Sequence, residues 1–130
     1  MNFFKKIFTE NKTTRELKKQ IPWIQLTSLN QLDEILKESD EKPIAIFKHS
    51  TRCGISRMIL RQFEKQLTIE MNQAKLYFLD LLTYREISNE IATYFQVHHQ
   101  SPQLIIIKSG KVVYQCSHYE IDATALTKYI

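Results

Sequence analysis

Two glycines and three prolines in 130 residues leave this chain few points at which regular structure must break. With no internal repeat and no low-complexity segment, compact helices and strands should fill most of its length. Cysteine is equally scarce. Cys53 and Cys116 stand far apart, with no C-x-x-C pair and no Cys/His cluster at zinc spacing. A disulfide framework therefore has no support, a reducing compartment fits better, and no metal site is expected. Long hydrophobic runs are missing too. No stretch approaches the ~20 apolar residues of a spanning helix, and the apolar, basic start over residues 1–9 is too short for a secretory leader. The expectation is a cytoplasmic protein.

The charge excess is small, at +4, and much of it sits in Lys5, Lys6, Lys12, Arg15, Lys18 and Lys19. No basic stripe is interleaved with aromatics, so nucleic acid is not an expected partner. Hydrophobic residues at 43% and charged residues at 25% are the balance of a soluble globular protein, and the length suits one domain.

Residues 1–20 read as an N-terminal extension. If helical, it sets Phe3, Phe4, Ile7 and Phe8 on one face. A single short stretch of this kind binds membranes weakly, so membrane contact is not expected. Residues 21–130 read as the compact domain. Trp23 to Leu26 is a short strand candidate. Thr27 or Ser28 caps a helix with Leu29, Leu32, Ile35 and Leu36 at helical spacing. Ile44 to Phe47 is a continuous apolar run, as in a strand buried on both faces of a parallel sheet. A second helix over 54–68 carries Ile55, Ile59, Leu60, Phe63 and Leu67 as its buried stripe. A strand over 75–82 and a helix from Tyr84 to Phe95 follow. Gln103–Ile107 and Lys111–Cys116, joined at Ser109-Gly110, read as a hairpin. Residues 122–130 read as a closing helix with Leu126 and Tyr129 inward. The pattern β-α-β-α-β-α-β-β-α predicts an α/β fold: a five-stranded mixed sheet flanked by four helices.

Sites in such sheets form beyond the carboxyl ends of the parallel strands, and Cys53 falls there, at the start of the second helix. Unpaired N–H groups and the positive end of the helix dipole favour a thiolate over a thiol, and Arg52 and Arg57 add positive potential. A thiolate is the attacking species in disulfide exchange. Three residues on, where a second thiol would resolve a mixed disulfide, stands Ser56. Its hydroxyl can bond to the Cys53 sulfur or cap the helix. The implied chemistry is monothiol, with an external thiol needed for regeneration.

The element order, the Cys53-Gly54-Ile55-Ser56 turn and the Ser101-Pro102 pair before a strand resemble the thioredoxin fold. More narrowly, HSTRCGIS at 49–56 and HQSPQ at 99–103 resemble the YtxJ-type family of monothiol, bacilliredoxin-like proteins of the bacillithiol system. The resemblance covers about residues 21–130. It implies Cys53 as nucleophile with Ser56 beside it. Arg52, Gly54, Ser101 and a cis Pro102 would shape the substrate cleft. It also implies no bound cofactor, with bacillithiol as co-substrate and S-thiolated cytoplasmic proteins as partners. It sets the fifth strand away from the cleft and leaves Cys116 without a role in the motif.

Plainer readings stand beside these. Cys116, among Val112, Val113 and Tyr114, reads as core or sheet surface. His49, His98, His99 and His118 lack a carboxylate at a telling spacing, so surface or supporting roles fit them, His49 being the one placed to tune Cys53. Three other functions remain open: exchange with another thiol such as glutathione or coenzyme A, a non-catalytic binding module, and a Cys53–Cys116 redox sensor.

Overall fold

A computed structural model describes residues 21–68 and 73–130, so the extension over 1–20 lies outside the described residues. Five strands appear there: β1 (Ile24–Gln25), β2 (Ile44–His49), β3 (Lys75–Asp80), β4 (Gln103–Lys108) and β5 (Lys111–Ser117). The described α-helices are α1 (Asn30–Glu38), α2 (Gly54–Gln66), α3 (Arg85–Tyr94) and α4 (Thr124–Thr127), with a 3-10 turn at His118–Glu120. The sheet order is β1-β3-β2-β4-β5. β1, β3 and β2 run parallel, as crossover helices require, while β4 lies antiparallel to β2 and β5 antiparallel to β4. The mixed five-stranded sheet expected from the pattern is therefore present.

Strand alternation divides β2 between two cores. Ala45 and Phe47 face α2 and α4, packing with Ile59, Phe63, Leu104, Ile106 and Leu126. Ile44 and Ile46 face α1 and α3, packing with Leu32, Ile35, Ile87 and Ile91. On the α2 side Trp23 stacks on Phe63 at 5.9 Å, and its indole N–H donates to Glu64 Oε2 at 2.8 Å. This ties the segment leading into β1 to α2.

Two expectations need correction. Ile55 is not part of the buried stripe of α2: it is 43% exposed, and Ser56 takes the inward place with Ile59 and Phe63. The closing helix is a single turn, Thr124–Thr127, started by Asp122, whose carboxylate accepts from the Thr124 N–H and hydroxyl. Leu126 and Tyr129 do pack inward, as expected. β5 is an edge strand, separated from β2 by β4. Just past its end, the His118 N–H donates to the Pro102 carbonyl at 3.0 Å.

The β4–β5 turn places both Ser109 and Gly110 at positive φ (52° and 77°), the geometry of a tight two-residue hairpin. A Cβ on Gly110 would meet nothing within 4 Å, so any penalty there is conformational. Gly110→Ala is expected to cost about 1 kcal/mol, read as a lowered midpoint in urea unfolding with unchanged slope.

Candidate functional site

The carboxyl end of β2 carries the site. Cys53 is the residue before the first turn of α2, with extended backbone (φ −102°, ψ 120°). Its N–H donates to Ser50 O at 3.2 Å and its carbonyl accepts the Arg57 N–H at 3.2 Å. The residue is part-buried and its thiol is free. The first turn of α2 holds no acidic residue, so nothing on the helix compensates the positive charge of its N-terminus. Arg52 and Gly54 flank Cys53 in exposed positions. A side chain at Gly54 would meet only the Arg57 guanidinium, at 3.9 Å.

Ser56 is fully buried, and its hydrogen bonds run elsewhere than either expected role. Its hydroxyl oxygen accepts the Ser50 N–H at 3.2 Å and pairs with His49 Nδ1 at 2.8 Å. Burial pushes the His49 pKa below its ordinary value, with Arg57 adding to the fall and Asp80 and Glu64 opposing it. The ring is therefore neutral near pH 7, and the simplest arrangement has the Ser56 hydroxyl donating to Nδ1. Ser56 thus pins the start of α2 to the end of β2.

The second half of the site is the loop over 98–102. The Ser101-Pro102 peptide is cis, as the resemblance implied. In the β2–β4 register Lys48 stands opposite Gln103, so one step beyond that pair Pro102 comes level with His49. Two side chains that sequence reasoning missed hold this loop. Gln103 is fully buried; its amide donates to His98 O at 2.8 Å and to Gln115 Oε1 at 3.2 Å, and its carbonyl oxygen accepts the Gln100 N–H at 3.3 Å. Lys48 is also fully buried, with Nζ 2.6 Å from His99 Nδ1. Ser88 Oγ of α3 lies 3.4 Å from the same nitrogen. Desolvation pulls the Lys48 pKa down to about 8. His99 is lowered as well, by burial first and then by Lys48 and Arg85. The available signal was a lysine and a glutamine inside otherwise apolar strands.

Consecutive residues of β2 thus reach to opposite faces of the sheet. Lys48 holds the proline loop and His49 holds the cysteine helix. Cys116 is 5% exposed and packs in the core with Ile59 and Phe63, where burial pushes its thiol pKa up. Among the described residues no group of three or more His, Cys, Asp or Glu side chains gathers as a metal site, and no helix is long and apolar enough to cross a membrane.

A part-exposed thiol at a helix tip, serine three residues on, and a cis-proline loop meet at the same end of the sheet. The family model for monothiol bacilliredoxin BrxC matches residues 24–126. The chain belongs to this family. Among solved structures, it is similar to a thioredoxin-fold protein assigned as an oxidoreductase, at 30% identity and a TM-score of 0.70, over 82% of this chain and 92% of that one. It also resembles Fasciola hepatica thioredoxin, at 22% identity and a TM-score of 0.62, over 82% of this chain and 98% of that one. Trypanosoma brucei brucei thioredoxin matches at 24% identity and a TM-score of 0.58, over 82% and 83% of the two chains. The last two likenesses speak to the fold alone. Family and fold together make this bacilliredoxin a thiol oxidoreductase.

Proposed function

We propose that this protein removes bacillithiol from S-thiolated cytoplasmic proteins through Cys53. The observation that carries the reading is a part-exposed sulfur at the N-terminus of α2 whose third residue on is Ser56 rather than a second cysteine. The Cys53 thiolate attacks the bacillithiol sulfur of the mixed disulfide. A Cys53–bacillithiol bond forms, the protein–bacillithiol bond breaks, and the protein thiolate leaves to take a proton from water. A second thiol from outside then attacks the bacillithiol sulfur of the adduct, forming a disulfide with bacillithiol and releasing Cys53 as its thiolate. Bacillithiol enters as co-substrate, and no bound cofactor takes part.

The free N–H groups of the first turn of α2 favour negative charge on the sulfur. Ser101 and cis Pro102 offer the extended backbone of the substrate a ledge level with the end of β2, and Gly54 leaves that approach unobstructed. The sensor alternative is disfavoured by Cys116, whose buried thiol resists ionisation.

Mass spectrometry of the protein mixed with a bacillithiolated substrate tests the reading. The wild type should gain bacillithiol on Cys53 as the substrate loses it, and Cys53→Ser should slow the loss at least ~1,000-fold, since no other nucleophile stands at that place. Equal rates for the two proteins would sink the mechanism. Comparison with glutathione and coenzyme A adducts identifies the preferred small thiol.

A further inference from the structure

The exposed side of α2 is both cationic and apolar. Ile55 and Met58 are 43% and 42% exposed, large apolar side chains left in water beside the reactive sulfur. Arg52, Arg57 and Arg61 lie along the same stretch of chain, all exposed. Arg57 and Arg61, four apart, share a face, and Arg61 lies about 10 Å along the axis from the helix start. Helices favour acids in the first turn, yet this one has none there and carries Arg57 immediately after it. The arrangement weakens the helix and concentrates positive potential where a substrate would sit. The Arg57 guanidinium folds toward Gly54, 3.9 Å from where a Cβ there would stand, which places its charge at the helix tip.

The acids nearby form no ion pair with Arg57 or Arg61 among the described residues, although Asp80 and Glu64 oppose Arg57 at the buried His49 ring. Glu64 accepts the Trp23 indole N–H, Asp80 accepts Thr83 Oγ1–H and the Leu82 N–H of its own turn, and Glu120 sits on the 3-10 turn, toward Cys116. On the far side of the loop Arg85 adds further positive potential at His99.

We propose that this face is a docking surface for acidic polypeptide, selecting target cysteines whose neighbouring residues carry carboxylates. The proposal rests on the exchange reading of Cys53 and adds its substrate preference. A small thiol on the sulfur meets the helix tip, whereas Arg61, one turn further along, suits a longer chain with Ile55 and Met58 providing apolar contact between the charges.

Three peptides of equal length test it, each with one cysteine as its bacillithiol mixed disulfide, flanked by Glu, Gln or Lys. The expected order of kcat/KM is Glu, then Gln, then Lys. About tenfold should separate the extremes at low ionic strength, shrinking toward parity at about 0.5 M salt. The double variant Arg57→Glu/Arg61→Glu should invert the order. Equal rates for all three peptides at low salt, or an order that survives the charge reversal, overturns the docking surface while leaving the exchange chemistry standing. If none of the peptides loses its bacillithiol, the exchange reading falls and the docking role with it.

Discussion

A bacillithiol adduct on Cys53 is expected to disappear at least ~100-fold faster in a Ser56→Cys variant than in the wild type when no external thiol is present. The Ser56 side chain sits in the first turn of α2, three residues from Cys53, with its oxygen 2.8 Å from His49 Nδ1. A thiol there would lie beside a neutral imidazole able to take its proton, because burial keeps His49 uncharged. Attack on the Cys53 sulfur would then be intramolecular, closing a disulfide between Cys53 and the introduced thiol and releasing bacillithiol as its thiol. The wild type has no such internal nucleophile at that place. Losing the hydroxyl costs about 1 kcal/mol in weakened bonds to Ser50 N–H and His49, which unfolding measurements would report separately. Time-resolved mass spectrometry of the preformed adduct is the readout. An adduct lifetime equal in both proteins would show that position 56 cannot reach the sulfur, and the monothiol reading of this turn would lose its structural basis.

Lys48→Met is expected to make the protein more stable at about pH 7, by about 1–3 kcal/mol, and this advantage should fade as pH rises toward 10. Lys48 is fully buried, and its amine meets the neutral ring of His99 rather than a carboxylate. Burial lowers its pKa from 10.5 to about 8. Between those values the unfolded chain holds the proton and the folded chain does not, so this group makes stability rise with pH across that window. Below it both states are protonated, and the folded state bears the full cost of an enclosed cation. Methionine has similar volume and no charge, and exposed His99 can turn its freed nitrogen to water. Tyr114, raised to about 12, and Cys116, also raised, act with the opposite sign at high pH, but they cancel in the difference between variant and wild type. Urea unfolding of both proteins at about pH 7 and about pH 9.5 measures it. A variant less stable at the lower pH, or a difference that ignores pH, would refute the assignment. The gain should come with a lower kcat/KM for exchange, because the loop carrying Ser101 and Pro102 loses its anchor.

Much of the fold was legible because local signals agreed. The apolar run over 44–47 reads as a strand buried on both faces, Ser109-Gly110 reads as a tight turn, and the spacing of Leu32 and Ile35 or Ile87 and Ile91 marks the inner faces of α1 and α3. Failures came where polar groups are buried. A hydrophobic stripe drawn through α2 put Ile55 inside, because nothing in the pattern announces that the first inward position belongs to a serine matched to His49. Lys48 and Gln103 read as strand ends for the same reason: hydropathy treats them as solvated, and only the three-dimensional position of His98, His99 and Gln115 supplies their partners. At the site, Cys53, Ser56 and the Ser101-Pro102 pair were visible from spacing and resemblance. The side chains that hold them in place were not. The contact of His118 with Pro102 was also hidden, since it joins the loop before β4 to the turn after β5.

The paired anchorage at the end of β2 makes that strand the gauge of the cleft. Because Lys48 and His49 are covalent neighbours gripping opposite halves, the gap between sulfur and proline is measured out by one stiff peptide unit in the middle of the sheet rather than by either loop. Loop sequences such as Thr51-Arg52 or Gln100-Ser101 are then free to vary in what they recognise without altering the aperture into which a disulfide must fit.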